Sequence, residues 1–315
     1  MSPLVPVAAG STASLRPIGF ALLSYACFAT ADAMVKLSSA RFSVFQIGFT
    51  VALAALVPVL LLTRGQGGLK ALIPQRWRLV ALRGLLTATC ALLAWAAFGM
   101  LPLADGYAIL FAAPILVTAL SVPLLGESVG WRRWLAGAVG FAGVLVMIRP
   151  DFATLGLGHL LAAVAAVLGA FGFIVLRRIG PNEKSASILA AVFVTIAVAS
   201  APLALSHWVA PTPGELLTLS LAGLLQGGGQ AGLVLATREA PASVVAPFQY
   251  SQMLWAVAFG ALLFGDRPDP VLFAGLAIVA ASGLYTLWRE VHRERPVTLG
   301  TVRGEVPARA ARAAR

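Results

Sequence analysis

Ten runs of about 20 apolar residues follow one another along the chain, separated by short segments that contain charge, proline or glycine. A helix of about 20 residues spans the hydrocarbon core of a bilayer, which is roughly 30 Å thick. Backbone groups inside lipid must bond to one another, and these runs are too long and too evenly apolar for barrel strands. We therefore predict an all-α membrane protein with ten transmembrane helices. The predicted spans are 17–37, 44–63, 78–99, 104–125, 131–148, 157–176, 185–206, 215–236, 242–264 and 270–288.

The composition excludes an ordinary water-soluble domain. Of the 315 residues, 59% are hydrophobic and 11% are charged, whereas a soluble domain carries about a quarter charged residues. The formal net charge is +11, but the basic residues lie in short loops and a tail, so we do not predict nucleic acid as a partner. Cys27 and Cys90 lie inside apolar runs without partners at metal or redox spacing. We therefore predict no metal site and no cofactor.

Lysine and arginine are concentrated in alternate loops. With the N-terminus in the cytoplasm, the inner segments hold most of the basic residues, including seven arginines from Arg289 to Arg315. The opposite side holds little more than Lys36, Arg41, Arg149 and Arg267. The positive-inside rule then predicts an inner-membrane protein with both termini in the cytoplasm. The first apolar run is interpreted as a retained helix, because no small-residue cleavage pattern follows it.

A displacement of 139 residues aligns the chain with itself, without a gap from about residue 18 to 127. The matched pairs include Gly19 with Gly158, Pro74 with Pro213, Gly84 with Gly223, Pro102 with Pro241, and Gly126 with Gly265. The alternative is chance matching in a chain rich in Ala, Leu and Gly. Because each unit holds five helices, an odd number, the second copy would be inverted, an arrangement that many secondary transporters use. The predicted divisions are a cytoplasmic segment 1–16, a first repeat 17–148, a second repeat 149–288 and a basic cytoplasmic tail 289–315.

Residues 102–148 read PLADGYAILFAAPILVTALSVPLLGESVGWRRWLAGAVGFAGVLVMI. This stretch resembles the end of an EamA-type repeat of the drug/metabolite transporter superfamily. The resemblance rests on the mid-helix Pro114, the LLGE at 124–127, a basic turn at Arg132 and Arg133, and the glycine-spaced helix that follows.

The second copy of this stretch is similar, with departures. It begins APASVVAPF at 240–248, has Met253 in place of the mid-helix proline, and ends LLFGD at 262–266. The resemblance covers most of the chain. It implies ten helices, a central cavity lined mainly by helices 1, 3, 4, 6, 8 and 9, and substrates such as amino acids, aromatic metabolites, vitamins or nucleotide derivatives.

Asp32 is the one acidic residue well within a predicted span, about 22 Å along the first helix. A carboxylate at such depth costs roughly 2.5 to 3.5 kcal/mol unless it is paired or hydrated. Lys36 lies four residues further on the same face, so a local ion pair is one interpretation. The other is a carboxylate that faces the cavity and contacts a cationic group or takes a coupling proton. Arg83, near the start of the third helix, is interpreted as a snorkelling interfacial anchor, and a substrate clamp is the alternative.

Further aromatic and amide side chains lie at helical spacing near the middle of the predicted spans. Such stripes also occur in simple helix packing, and lone glutamines can bond across helices. Aromatic and apolar walls with a few amides suit a small organic molecule better than an ion. The predicted substrate-binding residues are Tyr25, Phe28, Asp32, Trp95, Tyr107, Phe111, Pro114, Gln226, Gln230, Gln249, Gln252 and Trp255.

We expect a secondary transporter for a small amphipathic metabolite, such as an amino acid, an aromatic metabolite or a vitamin-like compound. Export or exchange is the first expectation, and import of a vitamin or a nucleotide-type metabolite is the alternative. The expected partners are the substrate, the bilayer and a coupling proton, and the chain would act as a monomer or homodimer. An intramembrane enzyme and a channel are alternatives from other classes. We predict no catalytic residues, because His159, His207 and His292 lie at or beyond helix ends without catalytic company.

Overall fold

A computed structural model describes residues 16–126, 131–148, 155–180, 182–239, 248–249, 251–267 and 269–293. Within these ranges every regular element is a helix, which confirms the predicted all-α class. The α-helices are α1 (Arg16–Ser38), α2 (Val44–Thr63), α3 (Trp77–Met100), α4 (Leu103–Leu110), α5 (Ala113–Leu125), α6 (Trp131–Ile148), α7 (Leu157–Ile179), α8 (Ser185–Ser206), α9 (Pro213–Glu239), α10 (Ser251–Phe264) and α11 (Pro270–Arg293). Two short 3₁₀ turns, Arg64–Gln66 and Gly68–Leu72, connect α2 to α3.

The helices follow the predicted spans closely. In the described part of the chain, seven helical segments are long and apolar enough to cross a membrane. The shorter apolar helices Gly137–Met147, Ser251–Phe264 and Pro270–Ser282 fall on the fifth, ninth and tenth predicted spans. The first part of the ninth span, 242–247, lies outside the described residues.

The fourth predicted span is two helices instead of one. The helix α4 ends at Leu110, and α5 begins at Ala113 after a turn at Phe111 and Ala112. A proline ring clashes with the carbonyl four residues earlier, which for Pro114 is that of Leu110, so a continuous helix is disfavoured at this point. In the first turn of α5 the missing N–H of Pro114 costs nothing. The segment Leu103–Leu125 is still long and apolar enough to cross a membrane as one span. The predicted span is therefore kept, and the structure adds a break at Phe111 and Ala112, so that Pro114 begins a helix instead of lying in the middle of one.

The helices pack in a reciprocal pattern. The first helix, α1, packs mainly on α9, while α7 packs mainly on α3; α2 packs on α8, and α6 on α11. Glycine permits the closest approaches, as expected for helices in lipid. A Cβ on Gly223 would lie 2.3 Å from the carbonyl oxygen of Val51, and one on Gly143 would lie 3.0 Å from that of Gly275. The glycine-spaced helix α6 thus approaches α11 closely at Gly143.

Side-chain contacts between loops define the two ends of the bundle. At one end, Arg41 after α1 forms a salt bridge of 2.6 Å with Glu215 at the start of α9. At the other end, Glu183 before α8 accepts hydrogen bonds from the backbone N–H groups of Gln75 and Arg76 before α3. The segment after α1 therefore lies with the start of α9 at one end, and the segments before α3 and α8 lie together at the other end. A bundle of spanning helices requires this alternation.

Candidate functional site

A cavity of about 240 Å³ lies inside the bundle, between α1, α3 and α4 on one side and α8, α9 and α10 on the other. Gln226, one of its lining residues, is the central residue of α9. The lining side chains are Asp32, Thr87, Ala91, Ala94, Trp95, Phe98, Tyr107, Leu110, Phe111, Val192, Phe193, Ile196, Gln226, Gln230, Gln249 and Gln252. This volume is slightly below the roughly 300–1,000 Å³ of pockets for drug-sized ligands, and the walls are mainly apolar and aromatic.

The carboxylate of Asp32 is the most buried charge in this wall and is 6% exposed. Its Oδ1 accepts hydrogen bonds from Trp95 Nε1 at 3.1 Å and from Gln226 Nε2 at 2.9 Å. Its Oδ2 accepts one from the Tyr107 hydroxyl. Three donors from three other helices therefore compensate the desolvated carboxylate, in place of a basic side chain.

Tyr107 links the hydrogen bonds around Asp32 to helix α10. Its hydroxyl also accepts a hydrogen bond from Gln252 Nε2 at 3.0 Å. The ring lies with its centroid 5.1 Å from that of Phe98 and 6.1 Å from that of Phe111. All three of these aromatic rings line the cavity.

The local ion pair between Asp32 and Lys36 is not formed. The Lys36 ammonium instead donates hydrogen bonds to the carbonyls of Phe98 and Leu101 at the end of α3. It also lies 5.0 Å from the ring centroid of Phe264. The carbonyl end of a helix carries a partial negative charge, so it is a suitable partner for an ammonium group. Asp32 is left free to face the cavity.

Eight of the twelve predicted residues line this one cavity, and they are Asp32, Trp95, Tyr107, Phe111, Gln226, Gln230, Gln249 and Gln252. The side chain of Pro114 lies outside the described part of the structure. The predicted amides therefore converge on one space, although they come from separate segments of the second half of the chain.

The other three predicted residues lie elsewhere. Tyr25 and Phe28 pack with Ala21 and Ala236 in a separate apolar cluster between α1 and α9. Trp255 is 42% exposed and stacks on Phe259 on the outside of α10. Gln252, three residues before Trp255, lines the cavity, so helical spacing alone did not separate the two side chains.

The set of lining helices also differs from the one that the resemblance implied. Val192, Phe193 and Ile196 belong to α8, the seventh predicted span, and line the cavity. Among the residues described, none of those that line the cavity belongs to α7. The sixth span, α7, packs tightly on α3 instead, and a Cβ on Gly172 would lie 2.4 Å from Arg83 Nη1.

Sequence reasoning missed several lining residues, and a signal for some of them was present. Ala91 lies four residues and Thr87 eight residues before Trp95, and Phe98 lies three residues after it, so all three are on or next to its helical face. The lining residues of α8 had no predicted site residue beside them. They could be found only from the packing of α8 against α2 and α3.

This arrangement offers amide donors and acceptors, one tyrosine hydroxyl and one carboxylate within apolar walls. Among the residues described, no group of three His, Cys, Asp or Glu side chains could hold a metal ion. The geometry suits reversible binding of an amphipathic molecule, because the polar groups can orient one end while the aromatic rings contact the other.

Relatives of known name match the chain over most of its length. The riboflavin transporter of Rhizobium johnstonii is 30% identical over 204 residues, which are 64% of this chain and 68% of the relative. The S-adenosylmethionine uptake transporter of Rickettsia prowazekii is 27% identical over 278 residues, or 88% of this chain and 94% of the relative. The riboflavin transporter of Vibrio cholerae is 29% identical over 208 residues, 64% of this chain and 70% of the relative.

A solved structure described as the crystal structure of a protein shares the fold, with a TM-score of 0.64 and 15% identity over 88% of this chain and 99% of that chain. The model of the EamA-like transporter family matches the sequence twice, at residues 15–149 and 156–288. The two matches together include every cavity-lining residue. The chain therefore belongs to the EamA-like transporter family.

Proposed function

We propose that this protein is a secondary transporter that carries a small amphipathic organic metabolite across the inner membrane by alternating access. The observation that carries the proposal is the cavity itself, since both halves of the chain contribute to its walls. The hydrogen bond from Gln226 to Asp32 and the one from Gln252 to Tyr107 join the halves at this site. A substrate bound there would contact both halves, so their relative movement could change access to it.

The proposed architecture is two inverted five-helix repeats with ten spans, with repeat boundaries at 17–148 and 149–288. The double family match supports it, and so does the reciprocal packing of α1 on α9 and α7 on α3. Three pairs of lining residues also stand 139 positions apart, the displacement at which the sequence aligns with itself. These pairs are Thr87 with Gln226, Ala91 with Gln230, and Leu110 with Gln249.

The proposed orientation places both termini in the cytoplasm. The segment between α2 and α3 and the segment between α7 and α8, joined by Glu183, are both on the basic side of the chain by sequence. The Arg41–Glu215 bridge joins two segments on the opposite side. The contacts thus agree with the alternation that the positive-inside rule requires.

Uptake is the direction that we propose. Several relatives that match over nearly their whole length are named S-adenosylmethionine uptake transporters. This supports import over the export or exchange that the sequence alone favoured. The proposed substrates are vitamin-like or nucleoside-containing metabolites, in keeping with the named substrates of the relatives and with the aromatic walls of the cavity.

Asp32 is the proposed coupling site. Its carboxylate accepts from three donors on α3, α4 and α9, so gain or loss of a proton would alter contacts across the bundle at once. A protonated Asp32 could no longer accept all three hydrogen bonds on equal terms. Transport of a proton and movement of the halves would thereby be linked.

Flux into proteoliposomes tests the transport proposal. Compounds that raise the melting temperature of the purified protein would be selected first from amino acids, vitamins and nucleosides, with riboflavin and S-adenosylmethionine included. Ala91→Trp should fill the cavity and reduce saturable uptake by at least about tenfold. Leu85→Trp is the matched control, because Leu85 lies on the same helix and is 56% exposed.

The expected result is protein-dependent, saturable uptake that survives Leu85→Trp and is lost in Ala91→Trp. Uptake that is unaffected by Ala91→Trp would show that this cavity is not the transport site. The absence of protein-dependent flux for every compound that stabilises the protein would contradict the transporter proposal itself.

A further inference from the structure

Arg83 is a cation within the membrane span that does not behave as an interfacial anchor. It is the seventh residue of α3, about 9 Å along the helix from Trp77. Its guanidinium packs against α7, where a Cβ on Gly172 would lie 2.4 Å from Nη1. A snorkelling arginine directs its charge to the membrane surface, whereas this one occupies the space left by a glycine on the neighbouring helix.

Two polar atoms at this guanidinium have no hydrogen-bond partner among the residues that the structure describes. Arg83 Nε and Thr87 Oγ1 are both buried without a hydrogen bond within the described ranges. Thr87 Oγ1 lies on the same side, 3.3 Å from the Cβ position of Gly172. Unpaired donors in a membrane interior are costly, and ionisable groups that persist there are usually functional.

Arg83 also continues the face of α3 that forms the cavity wall. Thr87, Ala91 and Trp95 line the cavity at intervals of four residues. Arg83 is the next position of the same series and lies one turn beyond the lining residues, next to Thr87. From Thr87 to Trp95 the helix rises about 12 Å, and Arg83 adds about 6 Å more. The Asp32 cluster thus lies at one end of the wall, and the guanidinium at the other.

We propose that Arg83 and Thr87 form an anion-recognising end of the substrate site, so that the transported metabolite carries a carboxylate or a phosphate. This inference rests on the proposed transport function and narrows its substrate class. A guanidinium matches the geometry of either anion through paired N–H donors, and the threonine hydroxyl supplies a further donor. The aromatic body of the metabolite would then lie against Trp95 and Phe111, between the charged ends.

A pair of ligands that differ only in charge tests this proposal without knowledge of the substrate. Benzoate and benzamide have nearly the same size, and both fit a cavity of about 240 Å³. The melting temperature of the purified full chain would be measured against each, at constant ionic strength with chloride as the balancing anion. We expect half-maximal stabilisation of the wild type at a benzoate concentration about tenfold below that of benzamide.

Variants assign the preference to Arg83. Arg83→Gln should abolish the preference for benzoate, and Arg83→Lys should retain part of it. Arg78→Gln is the control, because Arg78 is an exposed arginine near the start of the same helix. Equal stabilisation by the two ligands in the wild type, or an unchanged preference in Arg83→Gln, would overturn the proposal.

A lipid phosphate is the other possible source of the anion. The same measurement in nanodiscs with and without phosphatidylglycerol separates the two. Stabilisation by phosphatidylglycerol that depends on Arg83, without any preference for benzoate, would assign the residue to lipid binding and overturn the substrate proposal.

A labelling experiment decides the matter if Arg83→Gln fails to fold. In a chain with Cys27→Ala and Cys90→Ala, Thr87→Cys and Ala94→Cys would be modified by anionic and cationic methanethiosulfonates. Arg83 should favour the anionic reagent at position 87 by about tenfold relative to position 94. An equal or lower ratio at position 87 would contradict the proposal. Since neither binding nor labelling requires flux, a failure here is distinct from a failure of the transport proposal.

Discussion

Asp32 on α1 and Gln226 on α9 are joined by a hydrogen bond of 2.9 Å from Nε2 to Oδ1, although they are 194 residues apart in the chain. The helices that carry them form one of the most extensive packing pairs in the fold. Asp32 belongs to the first family match and Gln226 to the second. The bond thus couples the proposed halves at the cavity, where movement between them would expose or bury a substrate.

Replacement of Asp32 by asparagine should reduce transport by at least about tenfold, since hydrogen bonds to charged groups contribute about 1.5–3 kcal/mol each. The asparagine amide has one acceptor oxygen, so it can serve Trp95 and Gln226 or Tyr107, but not all three. Initial uptake rates in proteoliposomes from pH 5 to 8 would measure the effect. If Asp32 carries the coupling proton, the residual transport of Asp32→Asn should not depend on the proton gradient. Full activity with the wild-type pH profile would remove Asp32 from the mechanism.

Removal of the Tyr107 hydroxyl should weaken substrate binding more than it weakens the fold. Tyr107→Phe keeps the ring contact with Phe111, but it removes the donor to Asp32 and the acceptor of Gln252. A double-mutant cycle with Gln252→Ala would give the energy of the connection, for which we expect about 0.5–1.5 kcal/mol. Ligand titrations monitored by tryptophan fluorescence provide the affinities. A coupling energy near zero would show that Gln252 and Tyr107 act independently.

The sequence predicted the spans well because twenty apolar residues in lipid have one structural solution. It placed Gln226 and Gln252 correctly, since an amide within a span needs a polar partner. It failed for Trp255, because an indole is equally stable in a cavity wall and at the outside of an apolar bundle. Phe28 could not be placed either, since its ring fills the space above Gly229, where a Cβ would lie 2.6 Å away. Such packing depends on which helices meet, and no single span encodes it.

The three consecutive glycines of α9 should respond unequally to alanine. A Cβ on Gly227 would lie 2.3 Å from the carbonyl oxygen of Ala55, whereas one on Gly228 has nothing within 4 Å. Gly227→Ala should therefore force α2 and α9 apart, at a cost of about 1–3 kcal/mol. Gly228→Ala should leave stability unchanged or raise it by about 0.5–1 kcal/mol, because alanine loses less backbone conformational entropy than glycine when the helix forms. Thermal unfolding in detergent would compare the two, and equal melting temperatures would contradict the observed helix contact.

Glu183 should make the stability of the wild type depend on acidity. Burial opposes its ionisation, but hydrogen bonds from the Arg76 N–H, the Ser187 hydroxyl and the Gln75 N–H hold its pKa below its ordinary value. A carboxyl with a lowered pKa in the folded state stabilises that state above its ordinary pKa, and this contribution is lost as pH falls through the folded value. The melting temperature should thus fall between pH 5 and 3 by more in the wild type than in Glu183→Gln. Parallel curves would exclude Glu183 as the source of the dependence.

The two ends of the bundle should be accessible from opposite sides of the membrane. Ala40 lies in the segment before α2 and Asn182 in the segment before α8, and both are exposed. Single cysteines at these positions, in a chain with Cys27→Ala and Cys90→Ala, would be treated with a membrane-impermeant maleimide on intact spheroplasts and again after lysis. We expect Ala40→Cys to react in intact spheroplasts and Asn182→Cys only after lysis, because the positive-inside rule places the basic segments in the cytoplasm. Reaction of both in intact spheroplasts would place the two segments on one face, and five-helix halves of opposite orientation would then be impossible.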